Sequence, residues 1–481
     1  MKNRNIIIIS SIDWDTQWQW HHEIVTYFNK NNCRVLFIEN TGTRRLKINE
    51  IDRIFKKIKK LIKNRKSFML LSEKLVKFTP FFIPLPYNYI SRKINSFLIV
   101  GKLQKWINLN RFNDPIIISF LPTPISNSII NNLRPLISVY LCADDYASYS
   151  ILTKKLRYWE EKFLQTVDTV FTSSSIKLKQ FKSKNQNTNF FYSGVNFENF
   201  KNFDNKFLIP ELNKKKYKII GFHGSLRSIL DKKLIIKIAE RFPQYKLVLI
   251  GPIHDNFTAL EKYKNIIFIK EVKHDQIPKY INNFDVGILP YKVNKFTDSV
   301  NPAKLNEYLI LGKPVVSKNI EQINYFNKNN DNIINVGDTD EKFLALIDAI
   351  LTKKILPDKN KSINIALKYD WSNILNSFSA KIEKEIETKS SSFRLRDKIA
   401  DYYFKRKRLF VKYIASLLTI YFLLISPIPF YIGSYLVVTN EINESDAIVA
   451  LTGPGEGTYY NFGYQKRYIE IKDLYEKKIS N

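Results

Sequence analysis

Short apolar runs recur along the first three quarters of the chain, separated by polar stretches with helical spacing. Ile6–Ser10 is a continuous β-branched run, the pattern of a strand buried on both faces of a parallel sheet. Trp14–Asn29 has helical character and Val35–Glu39 reads as the next strand, so the chain opens as a βαβ unit. Ile116–Phe120, Ser138–Leu141 and Thr169–Thr172 continue the alternation. The last of these runs into Ser173–Ser175, small hydroxyl residues suited to cap a following helix. A second set follows: Ile219–His223, Leu247–Ile250, Ile266–Ile269, Val286–Leu289 and Val315–Ser317, with helical patterns such as Leu234–Arg241 between. Two successive α/β sets predict two doubly wound, Rossmann-like domains facing a cleft. Helices are expected over Phe343–Lys353 and Lys361–Lys389.

The pattern then changes. Lys405-Arg406-Lys407-Arg408 precedes Leu409–Val438, whose only charge is Lys412. About 20 apolar residues cross a bilayer core, so this run predicts a transmembrane helix, kinked at Pro427, Pro429 and Gly433. A buried hairpin of two core helices is the alternative. Basic residues crowd its amino side, whereas Glu441, Glu444 and Asp446 follow it. That asymmetry predicts a single pass with the large N-terminal part cytoplasmic and the tail outside. In the tail, Ala447–Leu451 reads as a strand, Gly453–Gly457 as a glycine-rich turn and Tyr464–Lys477 as a helix.

At 481 residues the chain exceeds one ordinary domain. Cys33 and Cys142 are too few for a disulfide framework and fit a reducing compartment. Met1–Asn5 is basic, but Ile6–Ile9 is too short for the core of a cleavable signal. The net charge of +31 suits a phosphate-bearing partner. Lys, Asn and Ile are enriched together, as codon bias also produces, so only local clustering of charge carries weight. With no zinc-finger spacing or RNA-binding signature, nucleic-acid binding ranks last. Ile48, Ile51, Phe55, Ile58 and Ile62 share one helical face amid Arg53, Lys56, Lys57, Lys59, Lys60 and Lys63. Such a helix fits an anionic membrane surface or a surface helix packed on its own domain.

The segment Phe284–Ser317 carries the chemistry. Its strand, loop, short helix and second strand place Lys304 and Glu307 beside the carboxyl end of a parallel strand, where open α/β sheets bind nucleotides. A lysine neutralises a diphosphate and a glutamate accepts both ribose hydroxyls. Pro302, Lys304, Leu305, Glu307, Tyr308, Leu309, Gly312, Lys313, Pro314, Val315 and Val316 resemble the donor-sugar segment of GT-B glycosyltransferases of the glycosyl transferases group 1 type. Within it, the likeness is to the teichuronic-acid-type transferases. Gly221–Arg227 is similar to the family's G-F-x-G-x-L turn, which implies that Gly224 bares backbone to a diphosphate and that Arg227 reaches it. One departure stands out: the acidic residue eight positions before the ribose-binding Glu is Ser299 here, with Asp298 before it. Ser299 and Asn301 would then offer polar groups to the donor.

In the first domain, Asp13–His22 resembles the W-x-x-x-x-Q-R-x-H-H-L opening of these transferases, with Gln19, His21 and His22 matching and Trp20 replacing the Arg. Adjacent histidines on a helix point about 100° apart, which argues against a shared metal. Tyr140–Tyr146 resembles the Y-x-C-x-D-D-[WY] segment. Asp144 and Asp145 could take an acceptor proton, or one could cap the next helix. The tail resembles the opening βα unit of ElyC/SanA/YdcF-like envelope domains, with Arg467 at the basic position of the first helix.

The expected organisation is therefore an α/β GT-B chain: an acceptor domain over 1–195, a linker over 196–216 and a nucleotide-sugar domain with return helices over 217–390. A basic juxtamembrane segment (391–408), a transmembrane helix (409–438) and a partial ElyC-like segment (439–481) follow. The resemblance implies a glycosyltransferase, retaining and without metal or other cofactor. It would act on a nucleotide diphosphate-sugar and a glycan or lipid-linked acceptor in envelope polysaccharide synthesis at the cytoplasmic membrane. Candidate catalytic groups are Asp144, Asp145 and His22; donor ligands Gly224, Arg227, Ser299, Asn301, Lys304 and Glu307; acceptor-side groups Asp15, Gln19 and His21. A GT-B-shaped nucleotide-sugar epimerase and a non-catalytic envelope scaffold are the rival readings.

Overall fold

The β-branched run at the amino terminus becomes β1 (Asn5–Ile9), buried from Ile6 onward. Its neighbours are supplied by the alternation that follows, in a computed structural model that describes residues 1–16, 18–41, 67–143, 153–202, 212, 217–392, 396–425, 427 and 462–476. The chain divides into two units, residues 1–392 and 393–481.

The first half of unit one contains α1 (Trp20–Lys30), β2 (Arg34–Ile38), β3 (Phe68–Ser72), β4 (Leu75–Phe78), α2 (Tyr89–Leu109), β5 (Ile116–Ser119) and α3 (Pro124–Leu133). Then come β6 (Ile137–Cys142), α4 (Thr153–Thr166), β7 (Thr169–Thr172), α5 (Ser175–Lys182), β8 (Thr188–Phe190) and α6 (Phe197–Lys201). The strands form one sheet in the order β3-β4-β2-β1-β5-β6-β7-β8, parallel except where β3 runs antiparallel to β4. The Ser173–Ser175 run caps α5 as expected: the Ser174 hydroxyl accepts from the Lys177 amide. The hairpin β3–β4 is additional to the expected strands. Helix α1 starts at Trp20 rather than Trp14, because Trp14 and Gln19 are pinned in the preceding loop by His22.

The second half contains β9 (Ile219–His223), α7 (Lys232–Arg241), β10 (Lys246–Ile250), β11 (Ile266–Ile269), α8 (Ile277–Ile281), β12 (Val286–Leu289) and α9 (Lys304–Ile310). It continues with β13 (Val315–Lys318), α10 (Glu321–Lys328), β14 (Asn335–Gly337), α11 (Asp340–Leu351), α12 (Lys359–Lys368) and α13 (Trp371–Ser392). Its sheet is wholly parallel, in the order β11-β10-β9-β12-β13-β14. The strand order reverses between β9 and β12, and the crevice of such a sheet opens beyond the strand carboxyl ends at that point. Fully buried Ile220, Val248, Val286 and Val316 fill the centre; truncating one such side chain costs about 1–5 kcal/mol.

The expected helix over Lys361–Lys389 is two helices. The chain breaks at Tyr369–Asp370 because that segment pairs with Val195: the Val195 amide donates to the Tyr369 carbonyl and the Trp371 amide to the Val195 carbonyl, both at 3.0 Å. A Cβ on Gly194 would lie 2.3 Å from the Trp371 ring, so only glycine allows the crossing. Helix α13 then returns along the first sheet. Phe378 packs edge-on to Phe171 at 4.6 Å, Tyr27 donates to Asn376 at 2.7 Å, and Lys389 pairs with Asp168 at 2.9 Å. A second join is the buried Gln322 of α10, whose Oε1 accepts from the Ser175 amide at 2.8 Å and hydroxyl at 2.6 Å.

The second unit contains α14 (Arg396–Ile425) and α15 (Phe462–Glu476). Among the described residues no helix is long and apolar enough to cross a membrane; of the expected transmembrane span over 409–438, the described residues cover 409–425 and 427. The side chains from Leu409 to Ile425 are exposed. Helix α15 falls where the tail helix was expected; the strand and glycine turn of the ElyC-like reading lie outside the described residues, as does the basic amphipathic stretch from Ile48 to Lys63.

Candidate functional site

Two loops meet at the carboxyl ends of β9 and β12. Gly224 follows β9 with φ +131°, a left-handed conformation that favours glycine. A Cβ there would lie 2.0 Å from Cε and 2.8 Å from Nζ of Lys304. The lysine of α9 therefore lies directly over the backbone that Gly224 leaves bare. Gly251, after β10, backs this turn: a Cβ on it would lie 2.3 Å from the Gly224 carbonyl oxygen. The two sequence motifs that predicted a donor site, eighty residues apart in the chain, thus converge on one spot. Among the described residues, half-buried Lys304 makes no ion pair or hydrogen bond.

Glu307 lies one turn further along α9 and is largely buried, with 13% of its side chain exposed. The Nε2 of His223 contacts its Oε2, and His274 Nε2 lies 3.6 Å from its Oε1. The His223 tautomer follows from its other partner. Tyr308 Oη accepts from the His223 amide at 3.1 Å and so turns its own hydrogen to Nδ1 at 3.2 Å, leaving Nε2–H to donate to Glu307. Burial alone would raise the Glu307 carboxyl, but the two imidazoles outweigh it and hold the group well below the usual carboxylate range. Burial lowers His223, against the pull of Glu307, whereas the hydrogen bond to Glu307 raises His274. Glu307 is thus ionised across neutral pH, and His274 beside it holds its proton more tightly than a free imidazole. Neither His223 nor His274 was assigned a role from sequence. His223 sat inside the G-F-x-G motif at a variable position, and no spacing linked His274 to it.

The remaining donor candidates separate. Arg227 is exposed on the loop leaving Gly224, and Asn301 is half-buried just before α9. Ser299 is buried and its hydroxyl donates to the Lys295 carbonyl at 3.1 Å, closing its own turn. Asp298 accepts from the Glu321 amide at the start of α10.

In the first half, the loop after β1 is held by its own side chains. His22 Nδ1 accepts from the Gln19 amide and Nε2 donates to the Trp14 carbonyl, both at 3.0 Å, with Trp14 and Trp18 against its ring at 4.8 and 5.0 Å. Both ring nitrogens are committed, and burial lowers its pKa. His22, a catalytic candidate from sequence, therefore orients the loop with both ring nitrogens. His21 stacks on Phe120 at 3.7 Å with Nε2 3.0 Å from Ser11 Oγ. Burial, then neighbouring His22, lowers it to about 3, so it is neutral and inside the fold. Asp15 is exposed and pairs with buried Lys77 at 3.1 Å; Lys77 also faces buried Glu39 at 3.8 Å. Glu39 accepts from the Trp14 amide at 3.0 Å. Lys77 and Glu39 carried no motif; a lysine buried in a strand next to a strand-terminal glutamate was the available signal. Gln19 caps α1. Asp144 and Asp145 lie outside the described residues. Buried Glu23, on the first turn of α1, is raised by burial and lowered by the hydrogen bond from Trp18 at 2.6 Å and then by the field of His274. Among the described residues, no group of three or more His, Cys, Asp or Glu converges as a metal site.

The fold is GT-B-like. Sucrose-phosphate synthase from Thermosynechococcus elongatus superposes with a TM-score of 0.57 at 12% identity, over 80% of this chain and 100% of that one. The Anabaena HepE structure in complex with UDP gives 0.57 at 14% identity over 80% and 100%. Residues 204–367, which carry Gly224, Lys304 and Glu307, match the family model described as glycosyl transferases group 1. TuaH of Bacillus subtilis (strain 168), named for glycosyl transfer in teichuronic acid biosynthesis, is 30% identical over 158 residues. That match spans 32% of this chain and 40% of TuaH's length.

Proposed function

We propose that this chain transfers a sugar from a nucleotide diphosphate-sugar to a hydroxyl of a glycan or lipid-linked acceptor. The observation that carries the reading is a half-buried Lys304, unpaired among the described residues, lying over bare Gly224 and one helical turn from an ionised Glu307. Lys304 and the Gly224 backbone would hold the diphosphate, and the two Glu307 oxygens would accept the ribose hydroxyls. In the reaction the anomeric carbon–oxygen bond to phosphate breaks and its electron pair leaves with the nucleoside diphosphate. The acceptor oxygen bonds the anomeric carbon and its proton passes to a base or to the leaving phosphate. Lys304 stabilises the negative charge that grows on that phosphate. Asp144 or Asp145 is the acceptor-side base in this reading, Arg227 and Asn301 flank the donor, and Asp15, Gln19 and His21 shape the acceptor side. The stereochemical outcome is retention, and no metal is required: activity should survive chelation with EDTA.

The reading also places the enzyme at the cytoplasmic face of a membrane, in envelope polysaccharide synthesis. The exposed apolar side chains of α14 after a basic run support it. Vesicle flotation of the full chain should show attachment. Protease protection of the tail in sealed vesicles separates a chain that crosses from one that lies on the surface.

The test of function is incubation of purified protein with a panel of nucleotide sugars, UDP-sugars first, with and without a hydroxyl acceptor. Acceptor-dependent release of nucleoside diphosphate is expected. Conversion of the donor to its epimer without acceptor would contradict transfer, and absence of any nucleotide binding would favour a scaffold.

A further inference from the structure

Helix α2 is apolar on two opposite faces. Toward the sheet it buries Ile99, Val100 and Leu103. On the outside, Ile90, Ile94 and Phe97 are 68%, 41% and 80% exposed. Their spacing of four and then three residues sets them in one stripe along the helix. A surface helix of a water-soluble domain turns charged residues outward; one that is apolar on both sides has its outer face covered. The loop before it adds to the stripe. Asn95 bonds the amide and the carbonyl of Ile83 at 2.7 and 2.9 Å, which fixes exposed Phe81 and Leu85 near the first turns of α2.

The charges on α2 discriminate between occupants. It carries Arg92, Lys93, Lys102 and Lys105 and no carboxylate. The three lysines are exposed, and the Tyr89 ring lies under both Arg92 and Lys93 at 5.6 and 5.7 Å. A two-fold contact between copies of this chain would press these cations against each other. An anionic lipid surface would neutralise them while the apolar stripe enters the headgroup layer.

We propose that the outer face of α2 is a lipid-docking surface: Ile90, Ile94 and Phe97 insert into an anionic bilayer, and Lys93, Lys102 and Lys105 pair with its phosphates. The inference rests on the membrane setting of the proposed function and not on the donor chemistry. It gives the first half of unit one its own membrane contact, separate from α14.

The test uses the full chain with Phe97→Cys labelled by an environment-sensitive fluorophore; Cys33 and Cys142 are buried, which directs the label. Phe97 is largely exposed, so folding should be unaffected, as circular dichroism checks. With phosphatidylglycerol-containing vesicles the emission should shift to the blue, rise severalfold and be quenched by brominated acyl chains. The same label at Leu356→Cys, exposed on the second half, should not respond. Adding Lys93→Glu and Lys105→Glu should raise the lipid concentration needed by about tenfold, in keeping with a contribution per cation that depends on anionic lipid. Vesicle flotation with no response at Phe97 would mean attachment elsewhere and overturn the proposal. Failure to bind vesicles at all would overturn it together with the membrane setting. A blue shift on concentrating the protein without lipid would overturn it in favour of a second copy.

Discussion

The two sheets of this protein share one architecture and use it in opposite ways. Each reverses strand order at a central strand, β1 beside β5 and β9 beside β12, and each should open a crevice there. In the second half, backbone is bared at Gly224, a cation with no partner among the described residues lies over it, and a carboxylate is held ionised by two histidines. In the first half the corresponding loop is closed by its own residues. His21 is stacked on Phe120, His22 is bonded to backbone on both sides, and Asp15 is paired with Lys77. Topology thus marks where a site can be, and among the described residues the unpaired cation lies at the second of the two.

The largest effect is expected at Lys304. Lys304→Ala should lower turnover of donor by about 10²–10³-fold, the usual loss when one stabilising group is removed from developing charge. Because it has no partner among the described residues, the melting temperature should barely change. Steady-state kinetics together with thermal unfolding checks both halves of this statement. Next comes Gly224→Ala, which imposes φ +131° on an L-residue and drives its methyl into Lys304. We expect a stability loss of about 1–3 kcal/mol and weaker donor binding, seen as a raised KM and a lowered denaturation midpoint.

His22→Ala sharpens the comparison from the other side. Loss of two loop hydrogen bonds should cost about 1–3 kcal/mol, while kcat falls less than about tenfold. A general base would instead cost about 10²–10⁴-fold, and that result would reopen the first crevice as a catalytic site.

The smallest effects are in the pH dependence of stability. His21 is depressed to about 3, so its contribution is full above the ordinary imidazole value near 6.5 and is lost as pH falls toward 3. His274 is raised by Glu307, so its contribution is full below 6.5 and fades as pH rises through the raised value. Thermal unfolding of His21→Gln should show a shallower acid-side loss than wild type. His274→Gln should show a shallower loss from pH 6 toward 8. Identical profiles would remove the assigned protonation states.

Much of this contrast was legible in the sequence, and what was missed has physical causes. Fully buried parallel strands such as Ile6–Ile9 and Val286–Leu289 announce themselves as unbroken apolar runs. The Gly224 and Lys304 motifs could be placed together because both follow strands that flank the reversal of strand order. Edge strand β3 contains a short apolar run, Phe68–Leu71, yet is mostly exposed; it was missed because it pairs antiparallel with β4 through a tight turn and so breaks the strand–helix alternation that marks parallel strands. The break at Asp370 was invisible because its cause is a pairing with Val195, far away in the chain. The His223–Glu307–His274 cluster joins three segments with no shared spacing. The internal bonds of Ser299 and His22 were not legible for a common reason: residue type shows that a group can bond, whereas only the folded loop shows which lone pair or hydrogen is already taken.

The central claim is that the second crevice holds a nucleotide diphosphate through Lys304 and Glu307. Calorimetric titration of UDP into wild type, Lys304→Ala and Glu307→Gln tests it most directly. The account predicts one site in wild type and at least about tenfold weaker binding in each variant, corresponding to about 1.4 kcal/mol or more per contact. Equal affinity in all three proteins would contradict it.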